Sequence, residues 1–263
     1  MPRIQTNGIE LAYEECGSGA PLVFLSGTSV DRSIWGAQIA HFAADFRCIT
    51  LDNRDVGQST IVAAPYTIRD MAADTAGLLE ALDLPAAHIV GHSLGGAIAQ
   101  ELVMLAPDYV RTLTLVATWA RNDAYSRGVL NTWKHLRAGL NRHDFLEAFL
   151  LFALGHSFLN AVGTEQLIGM FSALENPQSA EAFSRQVDAD LTHDTSDRLS
   201  TIGIPALVIG GEEDNIFKGP HHQMLAEGIP GARQVVLPAV GHTPLLENAE
   251  LFNRTVEEFL SQT

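Results

Sequence analysis

The run Ile89-Val90-Gly91-His92-Ser93-Leu94-Gly95-Gly96-Ala97 constrains this chain more than any other. An apolar strand that ends in Gly-x-Ser-x-Gly and passes at once into a helix must turn sharply. That turn lifts the serine side chain clear of the backbone. Gly91 and Gly95 keep the neighbouring atoms small enough for the chain to fold back so tightly. A serine hydroxyl is a weak nucleophile unless it is exposed beside a base, so the placement points to nucleophilic chemistry at Ser93. The N-terminus of the following helix offers free N–H groups next to the serine, suited to a developing oxyanion.

The surrounding sequence repeats the strand–helix rhythm. Strands are predicted at Ile9–Glu14, Pro21–Leu25, Phe46–Leu51, Ala87–Val90, Leu113–Val116, Ala206–Ile209 and Gln234–Leu237. Several are short, continuous apolar runs bounded by Gly, Pro or Asp, the pattern of a parallel sheet covered on both faces. Helices are predicted over Ile68–Leu82, Leu94–Leu105 and Ala249–Leu260. The first has an apolar stripe of Ile68, Met71, Leu78, Leu79 and Leu82 and a start signal in Thr67 and Asp70. Alternating strands and helices give an α/β fold with a mostly parallel sheet flanked by helices.

One stretch breaks the rhythm. Residues 121–201 carry helical patterns, no convincing strand, and Phe145, Phe149, Phe152, Phe158, Phe171 and Phe183, half of the chain's 12 phenylalanines. The stretch is predicted to be a helical lid inserted between two parts of a core, 1–120 and 202–263. Most of these rings are expected in the lid's own core, with a few facing a cleft and setting its apolar character.

Composition narrows the function. With 16 Lys+Arg against 31 Asp+Glu the net charge is −15, and no basic stripe exists to neutralise phosphates or anionic lipid, so neither a nucleic-acid nor a membrane partner is expected. At 46% hydrophobic residues, 263 residues suffice to bury a large core. Cys16 and Cys48 are too few for a disulfide framework, and Cys48 reads as a buried strand thiol. No leader-like segment and no apolar run near ~18 residues is apparent, so a soluble, cytoplasmic protein is expected. The oligomeric state stays open, a homodimer included.

The strand–Gly-x-Ser-x-Gly–helix segment resembles the nucleophile elbow of the α/β-hydrolase superfamily, and the resemblance extends over essentially the whole chain. It implies that an acid and a histidine follow Ser93 in that order, each on a loop after a later strand. The acid position after Pro205–Ile209 falls on Asp214, with Glu212 and Glu213 beside it and Asp123, after the preceding strand, as the alternative. The histidine position falls on His242, preceded by Gly241 and followed by the closing helix. His221 and His222 lie too soon after the acid loop. The resemblance further implies an oxyanion hole from the backbone N–H groups of Leu94 and Thr28. Ser26-Gly27-Thr28 stands where relatives usually have His-Gly-x, which puts the local support of that loop in question.

Asp52-Asn53-Arg54-Asp55-Val56-Gly57-Gln58-Ser59 resembles a structural loop of the family, with Asp55 where Gly is usual. That variant is similar to some enol-lactone hydrolases and polyketide-tailoring methyl esterases. His92 and Trp119 are candidates for the wall of the substrate pocket, while Trp35 is expected to pack. No metal or organic cofactor is implied. The expected activity is hydrolysis of a carboxylic ester or lactone of a small to medium apolar or aromatic compound through an acyl-enzyme. A carbon–carbon bond hydrolase of ring-cleavage products and a ligand-binding receptor-like protein retaining the three residues are the alternatives.

Overall fold

Alternation along each central strand sends side chains to two faces, and both faces are buried. In a computed structural model, which describes residues 1–172 and 177–263, Val23, Ile49, Ile89, Leu113 and Val208 enter one apolar cluster. Leu22, Phe24, Cys48, Val90 and Leu207 enter a second on the opposite side. Such strands can only be interior members of a sandwiched sheet.

The strands are β1 (Arg3–Thr6), β2 (Ile9–Cys16), β3 (Ala20–Leu25), β4 (Phe46–Leu51), β5 (Ala87–His92), β6 (Val110–Val116), β7 (Ala206–Gly211) and β8 (Arg233–Leu237). They form an eight-stranded sheet in the order β1-β2-β4-β3-β5-β6-β7-β8. β3 to β8 pair in parallel, whereas β2 runs antiparallel to both β1 and β4. Strand β1 is absent from the sequence expectation. Its signal was the Asn7-Gly8 pair, whose φ values of 45° and 77° build the two-residue turn that favours hairpins.

Helices α1 (Gly36–Phe42), α2 (Ile68–Ala81) and α3 (Leu94–Leu105) follow β3, β4 and β5. Thr67 caps α2 by accepting from Asp70 N while Asp70 reaches back to the Thr67 N–H at 2.8 Å, the expected start signal in reciprocal form. Helix α3 stops at Ala106, one residue before Pro107, as its ring demands. Between β6 and β7 run α4 (Ala124–Gly139), α5 (Arg142–Ala153), α6 (His156–Val162), α7 (Thr164–Ser172) and α8 (Ala180–Thr192). The stem of this insertion is closed by an antiparallel bridge between Arg121 and Asp194. Residues 173–176 of the expected lid lie outside the described residues. The chain finishes with α9 (Gly219–Gly228), α10 (Pro244–Glu247) and α11 (Ala249–Leu260). Among the described residues no helix is long and apolar enough to cross a membrane.

Parallel pairing aligns the C-terminal ends of β3, β5, β6, β7 and β8 along one rim. The loops that leave this rim carry the residues singled out above, and the insertion covers it.

Candidate active site

Ser93 is the cap residue between β5 and α3, at φ 53° and ψ −118°, a strained conformation for a residue with a side chain. The surroundings over-determine it. Ser93 N donates to Val116 O at 2.8 Å, and Ser93 O accepts from Gly96 N at 2.9 Å and from the Thr118 hydroxyl at 2.7 Å. A Cβ on Gly91 would collide with the Gly95 carbonyl, and one on Gly95 with the Leu25 carbonyl, so both glycines are required by close approach.

On the loop after β7, Asp214 is fully buried. Its Oδ1 accepts from Ile216 N at 2.7 Å and Phe217 N at 3.0 Å, and its Oδ2 lies 3.0 Å from His242 Nδ1. Burial pushes the Asp214 carboxyl up, but the His242 charge and hydrogen bond outweigh it and hold the group below its ordinary value. An ionised carboxylate only accepts, so His242 Nδ1 donates this bond, and in the neutral ring that tautomer leaves a lone pair on Nε2.

The neighbouring acids are committed elsewhere. Glu213 accepts from Ser157 N at 2.9 Å at the start of α6, and Glu212 accepts from Ala239 N at 3.1 Å. Asp123 caps α4 through Ser126 N at 2.8 Å, lies 3.4 Å from His221, and is 56% exposed. Of these four, Asp214 is the one hydrogen-bonded to His242.

The His242 backbone is held from two sides. His92 Nε2 donates to His242 O at 2.9 Å, with the two rings 5.1 Å apart. Burial, with the His242 charge adding, pushes the His92 imidazole down to about 3, so it stays neutral beside its neighbour. Glu247, in α10, accepts from Gly241 N at 2.8 Å, Thr243 N at 2.8 Å and Gly155 N at 2.9 Å. It thereby ties the histidine loop to the insertion at the start of α6. Burial raises the Glu247 carboxyl against the pull of those three N–H groups. Sequence reasoning missed Glu247, whose only signal is an acid in the first turn of a helix after Pro244.

Ser93, His92 and His242 line one cavity together with Gly27, Thr28, Val30 and Ile34 of the loop after β3. Its roof is Trp133 of α4, Phe149, Leu150 and Ala153 of α5, Leu154 just after that helix, and Phe171 of α7. The space amounts to about 480 Å³, mouth included. The backbone N–H groups of Leu94 and Thr28 have no hydrogen-bond acceptor among the described residues. Trp119 is not in the lining. It is fully buried and stacks on Phe217 with centroids 4.2 Å apart, so the expected wall at Trp119 is a packing residue and Trp133 takes that place. Trp35 packs against Phe24 at 4.9 Å, as expected. Of the insertion's rings, Phe149 and Phe171 face the cavity while Phe183 is buried in the core.

The loop carrying Ser26-Gly27-Thr28 is supported by the insertion. Asp190 Oδ2 accepts from Thr28 Oγ1 at 2.8 Å, and Gln186 Oε1 accepts from Ser29 N at 2.7 Å, both from α8. Within the loop, Trp35 Nε1 donates to Ser26 Oγ at 3.0 Å. Asp55 stands at φ 67°, which explains why glycine suits that position, and its carboxylate meets Arg185 of α8 at 3.0 Å. Among the described residues no group of three or more His, Cys, Asp or Glu could hold a metal ion.

The sequence matches the α/β-hydrolase fold family over residues 20–249. A protein provisionally named carbamate hydrolase RutD, from Azorhizobium caulinodans, is 29% identical, covering 100% of this chain and 99% of that protein. One provisionally named non-heme bromoperoxidase BpoC, from Mycobacterium tuberculosis, is 34% identical, covering 96% of this chain and 98% of its own. The crystal structure of the enol-lactonase from Burkholderia xenovorans LB400 superposes with a TM-score of 0.90 at 27% identity, covering 99% and 100% of the two chains. Agreement of sheet order, elbow and whole-chain similarity leads to one conclusion: this chain belongs to the α/β-hydrolase fold family.

Proposed function

We propose that the protein is a serine hydrolase acting on a carboxylic ester or lactone of a small to medium apolar or aromatic compound, by way of an acyl-enzyme. The observation that carries this reading is the 3.0 Å bond from His242 Nδ1 to buried Asp214, in a site whose cavity also admits the strained Ser93. In the reaction, His242 Nε2 takes the Ser93 proton as Oγ attacks the acyl carbon. The negative charge that develops on the carbonyl oxygen is met by the N–H groups of Thr28 and Leu94. The proton then passes to the departing alcohol oxygen, which leaves Ser93 acylated. A water molecule gives its proton to His242, attacks the acyl carbon and releases the acid, and Ser93 regains its proton.

An apolar roof of Trp133, Phe149, Leu150 and Phe171 favours apolar acyl or ring groups over sugars or peptides. The names borne by the relatives include both a carbamate hydrolase and an enol-lactonase, two acyl-transfer chemistries that one Ser-His-Asp arrangement can serve.

The test is a fluorophosphonate probe combined with a panel of p-nitrophenyl esters and lactones. Wild-type protein is expected to be labelled and to hydrolyse part of the panel. Ser93→Ala is expected to fold, resist labelling and lose on the order of 10³-fold or more in kcat. Absence of labelling in the folded wild-type protein would overturn the reading and favour a ligand-binding role.

A further inference from the structure

A second chamber adjoins the catalytic cavity and shares Val30, Phe149 and Phe171 with it. Its wall carries Arg137, near the end of α4, and Arg142, at the start of α5. Resting on the hydrolase reading above, we propose that this chamber is a subsite for an anionic arm of the substrate, and that the preferred substrates are esters or lactones bearing a free carboxylate.

The state of the two guanidinium groups carries the inference. Elsewhere in this strongly acidic chain, half-buried and buried arginines have a carboxylate: Arg32 with Asp52, Arg54 with Asp74, Arg185 with Asp55. Arg137 and Arg142 have none within 4.0 Å among the described residues. Their contacts are neutral. Arg137 Nη2 donates to Gln178 O at 2.8 Å and lies over the Phe145 ring at 5.5 Å, and Arg142 Nη2 donates to Phe171 O at 2.7 Å. Arg142 Nε is buried without an acceptor among the described residues. Burial, and after it the charge of Arg137, depress the Arg142 pKa, so the two cations repel each other across a partly dry space.

The chamber's own acid, Asp31, is occupied in accepting from Ser33 N at 2.9 Å, and Glu181, which feels Arg137 from outside, is exposed. A bound carboxylate would supply the missing acceptor for Arg142 Nε and remove the repulsion. Guanidinium offers a planar fork that fits it. Because the chain is negative overall, two cations with no carboxylate partner among the described residues also form a local attractor for anionic substrate.

The experiment compares p-nitrophenyl hydrogen glutarate, which carries a carboxylate, with the neutral p-nitrophenyl valerate of the same chain length. Wild-type protein is expected to favour the anionic ester in kcat/KM, mainly through KM, with the preference shrinking as salt is added. In Arg137→Gln, Arg142→Gln and the double variant the anionic-to-neutral ratio of kcat/KM is expected to fall by about 10-fold to 100-fold. Arg142→Lys, which keeps charge but loses the fork, should fall between and serves where Arg142→Gln does not fold. Equal wild-type rates on both esters, or variants that lose both in proportion, would overturn the subsite.

Should neither ester be cleaved, the hydrolase reading fails separately, and calorimetric binding of glutarate decides the subsite alone. Binding to wild-type but not to the double variant supports it, and binding to neither or to both overturns it.

Discussion

Asp214 holds a negative charge where water does not reach, and its hydrogen bonds make that tolerable: two from backbone N–H groups and one from His242. In Asp214→Asn the amide replaces the anion, so the proton on His242 Nδ1 and the imidazolium formed in catalysis lose their support. The expected loss in kcat is on the order of 10³-fold to 10⁴-fold. Asp123→Asn keeps a good helix cap and should change kcat little; the reverse ranking would reassign the acid.

Asp190 is the opposite case. Burial lifts its carboxyl from 3.8 to about 7, with Thr28 pulling the other way. Between those two values the folded chain keeps a proton that the unfolded chain has released. Stability from this group is therefore intact below pH 3.8, falls as pH rises through the window, and is lost above about 7. Asp190→Asn removes the titration, so the melting temperature of the variant minus that of the parent should increase from pH 4 to pH 8. A difference independent of pH would refute it.

Ser93 and His242 were legible because their local sequence, an elbow and a Gly-His pair before a helix, states the geometry. Asp190 and Trp133 were not, because each works through partners that only the tertiary fold supplies, and Glu247 was not, because its local bonds to Gly241 and Thr243 carry no sequence signature and its tie to Gly155 is distant.

At the scale of elements, α8 determines how the insertion sits on the core. Three polar ties join it to core loops: Asp190 to Thr28, Gln186 to Ser29, and Arg185 to Asp55. The alternation of strands and the stripe of α2 could be read from residue periodicity, and the helical character of the insertion from its lack of strands. The ties could not, since a charged residue on a helix pattern reads as solvent-facing until its partner is in place.

The Arg185–Asp55 pair gives a ranking that separates a tie from decoration. Asp55 is fully buried, while Arg185 is only 18% exposed. Arg185→Ala strands a buried carboxylate whose remaining hydrogen bond among the described residues comes from Val62 N at 2.8 Å, and should destabilise by about 3 kcal/mol. Asp55→Gly removes the carboxylate and also relieves the positive φ, so it should cost less despite deleting the more buried partner. Urea unfolding of both variants checks the order, and an Asp55→Gly loss equal to or larger than that of Arg185→Ala would show that the pair does not hold the insertion.

The molecule as a whole carries −15 at neutral pH with a pI near 4.9, so acidification relieves self-repulsion and by itself would stabilise the fold. The buried histidines oppose this. Burial pushes His88, His193 and His222 down from 6.5 to about 4, and His92 to about 3. Below 6.5 the unfolded chain takes up protons at these four positions that the folded chain refuses. Stability is thus full above that value and falls as pH drops toward 4.

Asp190 works against the histidines over part of the same range, with Glu247 and Asp74, also raised by burial, on its side; His221 is lowered as well, so three groups stand against five, and net proton uptake on unfolding is expected at pH 5 and the fold should be weaker there than at pH 7. Salt distinguishes the two whole-molecule effects. Surface repulsion is screened with a Debye length of about 4 Å at 0.5 M, whereas transfer of a buried imidazole into water is not. Added salt should therefore stabilise the protein at pH 7 and leave the fall between pH 7 and pH 5 at least as large. Urea unfolding at both pH values, with and without 0.5 M NaCl, measures this directly; stability that rises from pH 7 to pH 5 at low salt would mean that surface charge, and not the buried histidines, governs the acid limb.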